Sequence, residues 1–294
     1  MSKQINGVLT AIVTPFDVDG DVNPQALKQQ INRQLAAGNG IFCGGTNGEF
    51  FVLNEQEKVA VTATCVDEVA GRMPVVAHIG EISTRDTIRL GKQIEKLGVD
   101  AVSVITPYFV PLKQDELIAH YTAVADALSV PVFLYNIPAR TGNTIEPQTA
   151  RTLAAHPNII GIKDSAGSYE SLSGFLQAVK DCENFDVLNG PDSLIHQGFV
   201  DGCSACISGL ANVAPQAINA IWSRFNAGNI DGSRAAQENV TGLRTDLYRV
   251  AFSPAAVKKA LHIMGYDVGD SRYAVTFSEQ QHQQIRQIVT QYLH

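Results

Sequence analysis

Eight short runs of apolar, largely β-branched residues recur along the chain. They are Val8-Leu-Thr-Ala-Ile-Val13, Ile41-Phe-Cys43, Val75-Val-Ala-His78, Ala101-Val-Ser-Val-Ile105, Val130-Pro-Val-Phe-Leu-Tyr135, Ile159-Ile-Gly-Ile162, Phe185-Asp-Val-Leu188 and Cys203-Ser-Ala-Cys-Ile207. Most are separated by roughly 25 to 35 residues, room for a loop, a helix and a second loop, which is the period of a βα unit. The gap before the last run is shorter. The intervening stretches carry helical spacing: Leu27, Ile31 and Leu35 share one face, as do Ile88, Ile94 and Leu97, and Leu117, Tyr121, Val124 and Leu128. Gly38 and Gly98 follow the first two as helix stops, and Pro131 opens the next strand. Eight such units predict a closed parallel (β/α)8 TIM barrel, because right-handed crossovers place every helix outside and bury every strand on both faces. An open doubly wound sheet is the alternative. Neither G-x-G-x-x-G nor G-x-x-x-x-G-K-[ST] occurs, so the phosphate-cradling loops that accompany nucleotide-binding open sheets are missing.

After the eighth run the pattern turns helical through Ala214–Asn226, Gly232–Val250, Pro254–Met264 and Ser278–Leu293. The expected division is a barrel over residues 1–223 and a C-terminal helical annex over 224–294, packed on the barrel because no linker separates them. With 45% hydrophobic and 17% charged residues, the 294-residue chain has the apolar material for a large core, which excludes disorder. A net charge of −7 repels polyanions, so nucleic acid is not an expected partner. Residues 202–223 are uncharged, but Asn212, Pro215, Gln216 and Asn219 interrupt them, which predicts strand, loop and helix rather than a membrane span. Only Lys3 precedes the first apolar run, which soon meets Pro15, so no secretory signal is expected. Five cysteines, an odd number in a chain of this length, fit a reducing cytoplasm.

In a parallel barrel the reactive groups sit where strands end and βα loops begin. Gly44-Gly45-Thr46-Asn47-Gly48-Glu49-Phe50 gathers backbone N–H groups beside a hydroxyl and an amide, a nest suited to a carboxylate or oxyanion; a plain tight turn explains the glycines equally. Tyr135 ends the fifth run and can shuttle protons, or serve as a core tyrosine bonded to backbone. Arg140 follows in a Pro/Gly-punctuated loop, where its planar fork can hold a carboxylate or lie solvated at the surface. Lys163 closes the apolar run Ile159–Ile162; partial burial there disfavours its ammonium form and can leave a free-amine nucleophile, the alternative being a snorkelling surface lysine. Asn189-Gly-Pro-Asp-Ser193 and Ile207-Ser-Gly-Leu-Ala-Asn212 offer polar groups for substrate hydroxyls, although the first also reads as a turn. Cys203-Ser-Ala-Cys206 lacks a second ligand pair and reads as core, and the seven histidines, His78 and His294 among them, show no ligand spacing, so no metal is expected.

Taken together, Gly45-Thr46-Asn47-Gly48-Glu49, Tyr135-Asn-Ile-Pro-Ala-Arg-Thr-Gly142 and Ile160-Gly-Ile-Lys-Asp164 resemble the dihydrodipicolinate synthase / N-acetylneuraminate lyase family in identity, order and spacing. Gly7–Phe16 and Asp100–Tyr108 extend the resemblance. It implies a homotetrameric (β/α)8 lyase that forms a Schiff base between a lysine and a 2-keto acid, usually pyruvate, with no other cofactor. Position by position, it implies Lys163 as the Schiff-base lysine and Tyr135 as proton shuttle. Thr46, Asn47 and the amides around Gly48 would hold the keto-acid carboxylate, Ile207 would offer a carbonyl near it, and Arg140 would clamp the carboxylate of a second, aldehyde substrate.

This chain departs from the synthase pattern at Asn47, where the family has a second threonine, and at Phe109, where a tyrosine completes a proton relay across a dimer. Phenylalanine relays no proton, so water or Tyr108 would have to serve. The histidine pair that marks lysine-feedback sites is absent, with Glu55 and Lys58 in that region. Ala77-His-Ile-Gly80 is similar to the sialic acid lyases and Gly48-Glu49-Phe50 to the 2-keto-3-deoxy acid aldolases, which leaves the subfamily open. A keto-deoxy-acid dehydratase or deaminase on the same fold, and a keto-acid-binding non-enzyme, are the remaining alternatives.

Overall fold

The computed structural model describes residues 5–293; Lys3 and His294 lie outside the described residues. Eight strands follow the predicted runs: β1 (Gly7–Ala11), β2 (Gly40–Cys43), β3 (Val75–His78), β4 (Ala101–Ile105), β5 (Val132–Asn136), β6 (Ile159–Asp164), β7 (Asp186–Asn189) and β8 (Ala205–Ser208). They close in sequence order into a parallel barrel with helices between them. Nearly every strand residue is buried, as a sheet covered by crossover helices on one side and filled inside must be. β6 runs past Ile162 to include Lys163 and Asp164, because the ladder continues there: Tyr135 pairs with Lys163 and Asn136 with Asp164.

Residues 74–207, with 5–6, form one compact unit. Here the β3–β4 register sets His78 opposite Ser103, the β4–β5 register sets Ile105 opposite Tyr135, and β6–β7 sets Lys163 opposite Leu188. On helix Gln114–Ala127 the predicted face of Leu117, Tyr121, Val124 and the following Leu128 is buried, and the Tyr121 hydroxyl donates to the Val104 carbonyl at 3.1 Å. On helix Thr84–Ile94 the buried face is Thr87, Leu90, Gly91 and Ile94; Ile88 and Leu97, expected there, are half-buried.

His120, buried on helix Gln114–Ala127, meets the Thr84 hydroxyl through Nδ1 at 2.9 Å, while its Nε2 is buried with no hydrogen-bond partner among the described residues. Charging that ring would strand a second N–H without an acceptor, and burial pushes the imidazole down to about 4 from 6.5. An unfolded histidine takes up its proton near 6.5, so this contribution to stability is complete above that pH and is lost as pH falls toward 4, by up to about 3 kcal/mol. His120→Gln is expected to flatten the decline, read as the denaturant midpoint at pH 7 and at pH 4.5. Equal declines in both proteins would refute the assignment.

Residues 7–73 and 208–293 form the second unit. β1 and β2 pair Leu9 with Gly40 and Ala11 with Phe42. Helix Pro24–Ala36 buries Leu27 and Ile31 as expected, but Gln34 takes the place of Leu35. Both ends of its amide are engaged: Oε1 accepts from the Thr10 hydroxyl at 2.7 Å and Nε2 donates to the Ala211 carbonyl at 3.0 Å, which offsets the cost of its burial. Asn212 is likewise structural rather than a reader of substrate: buried, it accepts from the Val13 N–H at 3.0 Å and donates to the Ala11 and Gly209 carbonyls at 2.8 Å. Residues 202–223 resolve into β8, the 3-10 turn Leu210–Asn212 and helix Pro215–Asn226, as their interrupting polar residues predict. The last helices are Ile230–Val250, Ser253–Ile263 and Glu279–Tyr292. No helix among the described residues is long and apolar enough to cross a membrane.

Candidate active site

Tyr135 and Lys163 are register partners on β5 and β6, so in a parallel ladder their side chains leave the sheet on the same face. The Lys163 ammonium lies 3.9 Å from the centroid of the Tyr135 ring, and the lysine is 4% exposed. Burial holds its ammonium below the ordinary lysine range, opposed by the hydrogen bond and charge of Tyr135 and by the Asp192 carboxylate. A lysine so placed gives up its proton more readily than an exposed one, and the neutral amine is the form that attacks a ketone. His78 stands edge-on to the same tyrosine, ring centroids 6.0 Å apart at 89°, so the buried histidine of β3 belongs to this group. Asp192, in the 3-10 turn Asp192–Leu194 after β7, is buried. Its segment reads as turn chemistry in the sequence, and only the fold reveals that its charge reaches Lys163.

The strand ends beneath this group are locked together. Asn136 Nδ2 donates to Asp164 Oδ1 at 2.8 Å, Asn136 Oδ1 accepts from the Ile145 N–H at 3.0 Å, and Gly190 N–H donates to the Asp164 carbonyl at 2.8 Å. A Cβ on Gly190 would stand 2.6 Å from that carbonyl, so this approach demands glycine. Ile207 is buried on β8.

Arg140 is exposed on the one-turn helix Pro138–Thr141, which Gly142 ends with φ of 75°. The next residue fastens two loops at once. Asn143 Nδ2 donates to the carbonyls of Pro107 (2.7 Å) and Val110 (2.8 Å), and its Oδ1 accepts from the Leu112 N–H at 2.7 Å. Thr106 donates to the Thr141 hydroxyl at 2.8 Å in the same knot. The loop so held carries half-buried Tyr108, whose phenol is raised by burial and by Glu81, and Phe109, which is 90% exposed at φ of 78°.

In the second unit, Gly44 takes φ of 65°, and a Cβ on Gly45 would collide with the Phe42 ring. The Gly48 carbonyl accepts from the Thr14 hydroxyl at 2.7 Å. Thr46 and Asn47 are the residues of the 44–50 loop left partly exposed, and Asn47 Oδ1 has no hydrogen-bond partner among the described residues. The loop therefore offers one hydroxyl and one amide on a tightly held backbone, as a carboxylate nest needs.

The family model for the dihydrodipicolinate synthetase family matches residues 4–292. The chain belongs to that family. A 4-hydroxy-tetrahydrodipicolinate synthase of Geobacter sulfurreducens is 35% identical over 260 residues, 88% of each chain. The dihydrodipicolinate synthase of Thermotoga maritima superposes with a TM-score of 0.94 at 31% identity, covering 98% of this chain and 99% of that one. The chloride-inhibited dihydrodipicolinate synthase of Acinetobacter baumannii, in complex with pyruvate, gives a TM-score of 0.92 at 32% identity over 97% and 98%. This dihydrodipicolinate synthetase family member is a lyase of the pyruvate-dependent class I aldolase type. Outside the resemblance, the sequence carries no sign of the buried charges that brace the 44–50 loop, because their partners lie more than two hundred residues away.

Proposed function

We propose that Lys163 forms a Schiff base with pyruvate and that the resulting enamine joins, or is released from, an aldehyde that carries its own carboxylate. The observation that carries this reading is the buried Lys163 amine, depressed by desolvation and seated 3.9 Å from the Tyr135 ring. The amine adds to the keto carbon and water leaves, giving a protonated imine. Loss of a methyl proton then gives the enamine, whose carbon attacks the aldehyde; hydrolysis returns the lysine and releases product. Tyr135 moves protons at the carbinolamine and imine stages. Thr46, Asn47 and the Gly48 backbone hold the keto-acid carboxylate, and the Ile207 carbonyl lies against it. Arg140, exposed on its one-turn helix, takes the second carboxylate in a bidentate grip. No cofactor besides the covalent imine is needed for these steps.

The enzyme works in the cytoplasm as a homotetramer. Phe109 supports a second copy at that surface, since an apolar ring held 90% exposed in a left-handed conformation gains by being covered. Reduction with borohydride in the presence of pyruvate tests the central step. Mass spectrometry is expected to show a gain equal to pyruvate less one oxygen atom, absent from Lys163→Ala, and native conditions in the same instrument read the four-chain assembly. A wild type that gains no mass overturns the reading. Product analysis after adding carboxylated and uncarboxylated aldehydes then separates condensation from dehydration or deamination.

A further inference from the structure

The catalytic reading leaves one group of buried charges unused. Glu49 closes the 44–49 loop at φ of 56° and ψ of 39°, a left-handed conformation that a side chain other than glycine seldom adopts, and it is 0% exposed. Its Oε1 lies 2.6 Å from Lys258 Nζ, which is 2% exposed on helix Ser253–Ile263, and its Oε2 accepts from the Arg272 N–H at 3.0 Å. Arg272 spans the far side of the loop: its guanidinium donates to Glu57 Oε1 at 2.6 Å, to the Val52 carbonyl at 3.5 Å and to the Gly20 carbonyl. Both cations rest on one ring, Lys258 at 3.9 Å and Arg272 at 4.3 Å from the Phe16 centroid. With Thr14 holding the Gly48 carbonyl from the other side, the loop is braced at both of its last two residues.

Stability alone gives a poor account of this arrangement. Taking two charges fully out of water costs about as much as their attraction returns, and an apolar pair of the same volume often serves folding better. What an ion pair supplies and an apolar pair does not is a directed contact that fixes one backbone conformation.

We propose that Lys258 is a positioning residue for keto-acid binding: through Glu49 its ammonium holds the left-handed end of the loop, so that Thr46, Asn47 and the Gly48 amide stay aligned for a carboxylate. The proposal rests on the reading that this loop holds the keto-acid carboxylate. The groups facing Lys258 are Glu49 from the loop and Asp270 and Arg272 from the segment after its helix; Lys259 beside it pairs with Asp270 at 3.3 Å, and His282 shares with it a cavity of about 310 Å³. Burial, the largest influence, brings Lys258 down to about 8, so the pair is intact below that pH and is lost as Lys258 gives up its proton above it. Glu49 is then left buried without its cation, and the grip on the loop slackens.

Borohydride trapping against pyruvate concentration, at pH 7 and pH 9, for wild type, Lys258→Met and Lys258→Arg, tests this. At pH 7, Lys258→Met is expected to need roughly tenfold more pyruvate for half-labelling, the scale of one charge-assisted hydrogen bond, and still to label fully at saturation, although its thermal midpoint falls because Glu49 is left buried without its cation. The gap to wild type is expected to close at pH 9, where wild-type Lys258 is largely neutral; comparing the proteins at one pH cancels the titration of Lys163. Lys258→Arg, whose guanidinium keeps its charge, is expected to outbind the wild type at pH 9. A gap of equal size at both pH values, no gap at pH 7, or an arginine variant that weakens at pH 9 in step with the wild type overturns the proposal while leaving the Schiff base standing. A wild type that traps no pyruvate overturns the Schiff-base reading and this inference with it.

Discussion

Lys163→Met is expected to lose turnover by on the order of 10⁴-fold or more and to gain thermal stability. Methionine matches the length and apolar stem of lysine but has no amine, so the covalent route closes and only substrate binding remains; deleting the nucleophile from a group that acts as a unit costs on this scale. The wild-type amine is 4% exposed and its ammonium is disfavoured by desolvation, so the fold carries a cost that methionine removes. Burying a charged group costs free energy that its partners only partly return here, and methionine brings no charge to bury. Steady-state condensation with saturating aldehyde and differential scanning calorimetry read the two effects. A variant within a hundredfold of wild-type activity, or one that melts well below it, would mean that Lys163 is a structural lysine.

Tyr135→Phe is expected to lower kcat by roughly 10²- to 10⁴-fold, the usual worth of a placed proton donor or acceptor, with KM for pyruvate changed only a few-fold. The phenyl ring keeps the volume of the buried side chain and keeps its face 3.9 Å from the Lys163 ammonium, so the lysine stays where it is. What disappears is the hydroxyl, and with it the route by which protons reach and leave the carbinolamine. The trapped pyruvate adduct still forms, more slowly. Stopped-flow trapping separates the rate of imine formation from its final extent. A variant with wild-type kcat would move the proton transfer to His78, whose ring stands 6.0 Å from the tyrosine, or to water.

The barrel is legible in the sequence because each strand is buried on both faces and must therefore be apolar in one short stretch, bounded by the turn residues that the loops require. The β6 boundary is not legible, since Lys163 and Asp164 are polar residues inside a strand, satisfied there by Tyr135, Asn136 and the ladder itself. Helix faces are read correctly where they are apolar, as at Leu117, Tyr121 and Val124, and misread where a polar residue is satisfied internally, as at Gln34 in place of Leu35. The strand-end places of Tyr135 and Lys163 are legible because strand ends can be counted, and Arg140 follows in the loop after the first of them. The nearness of Asp192 and His78 to that pair, and the Glu49–Lys258–Arg272 cluster, arise from through-space approaches between residues that lie from tens to more than two hundred positions apart in the chain, which local pattern does not encode.

Asn143 has a consequence for how such an enzyme diversifies. Lys163 and Tyr135 hang from the rungs of the sheet, so any change that moves them also disturbs the hydrogen bonds holding β5 to β6. Phe109 and Arg140, by contrast, hang from loops pinned by one asparagine side chain and a pair of threonine hydroxyls. Substitutions at the loop tips leave those pins untouched. Lineages descended from such a chain are thus free to vary Phe109 and Arg140 by single tip mutations, each a viable intermediate, while the sheet that carries Lys163 and Tyr135 is inherited unaltered.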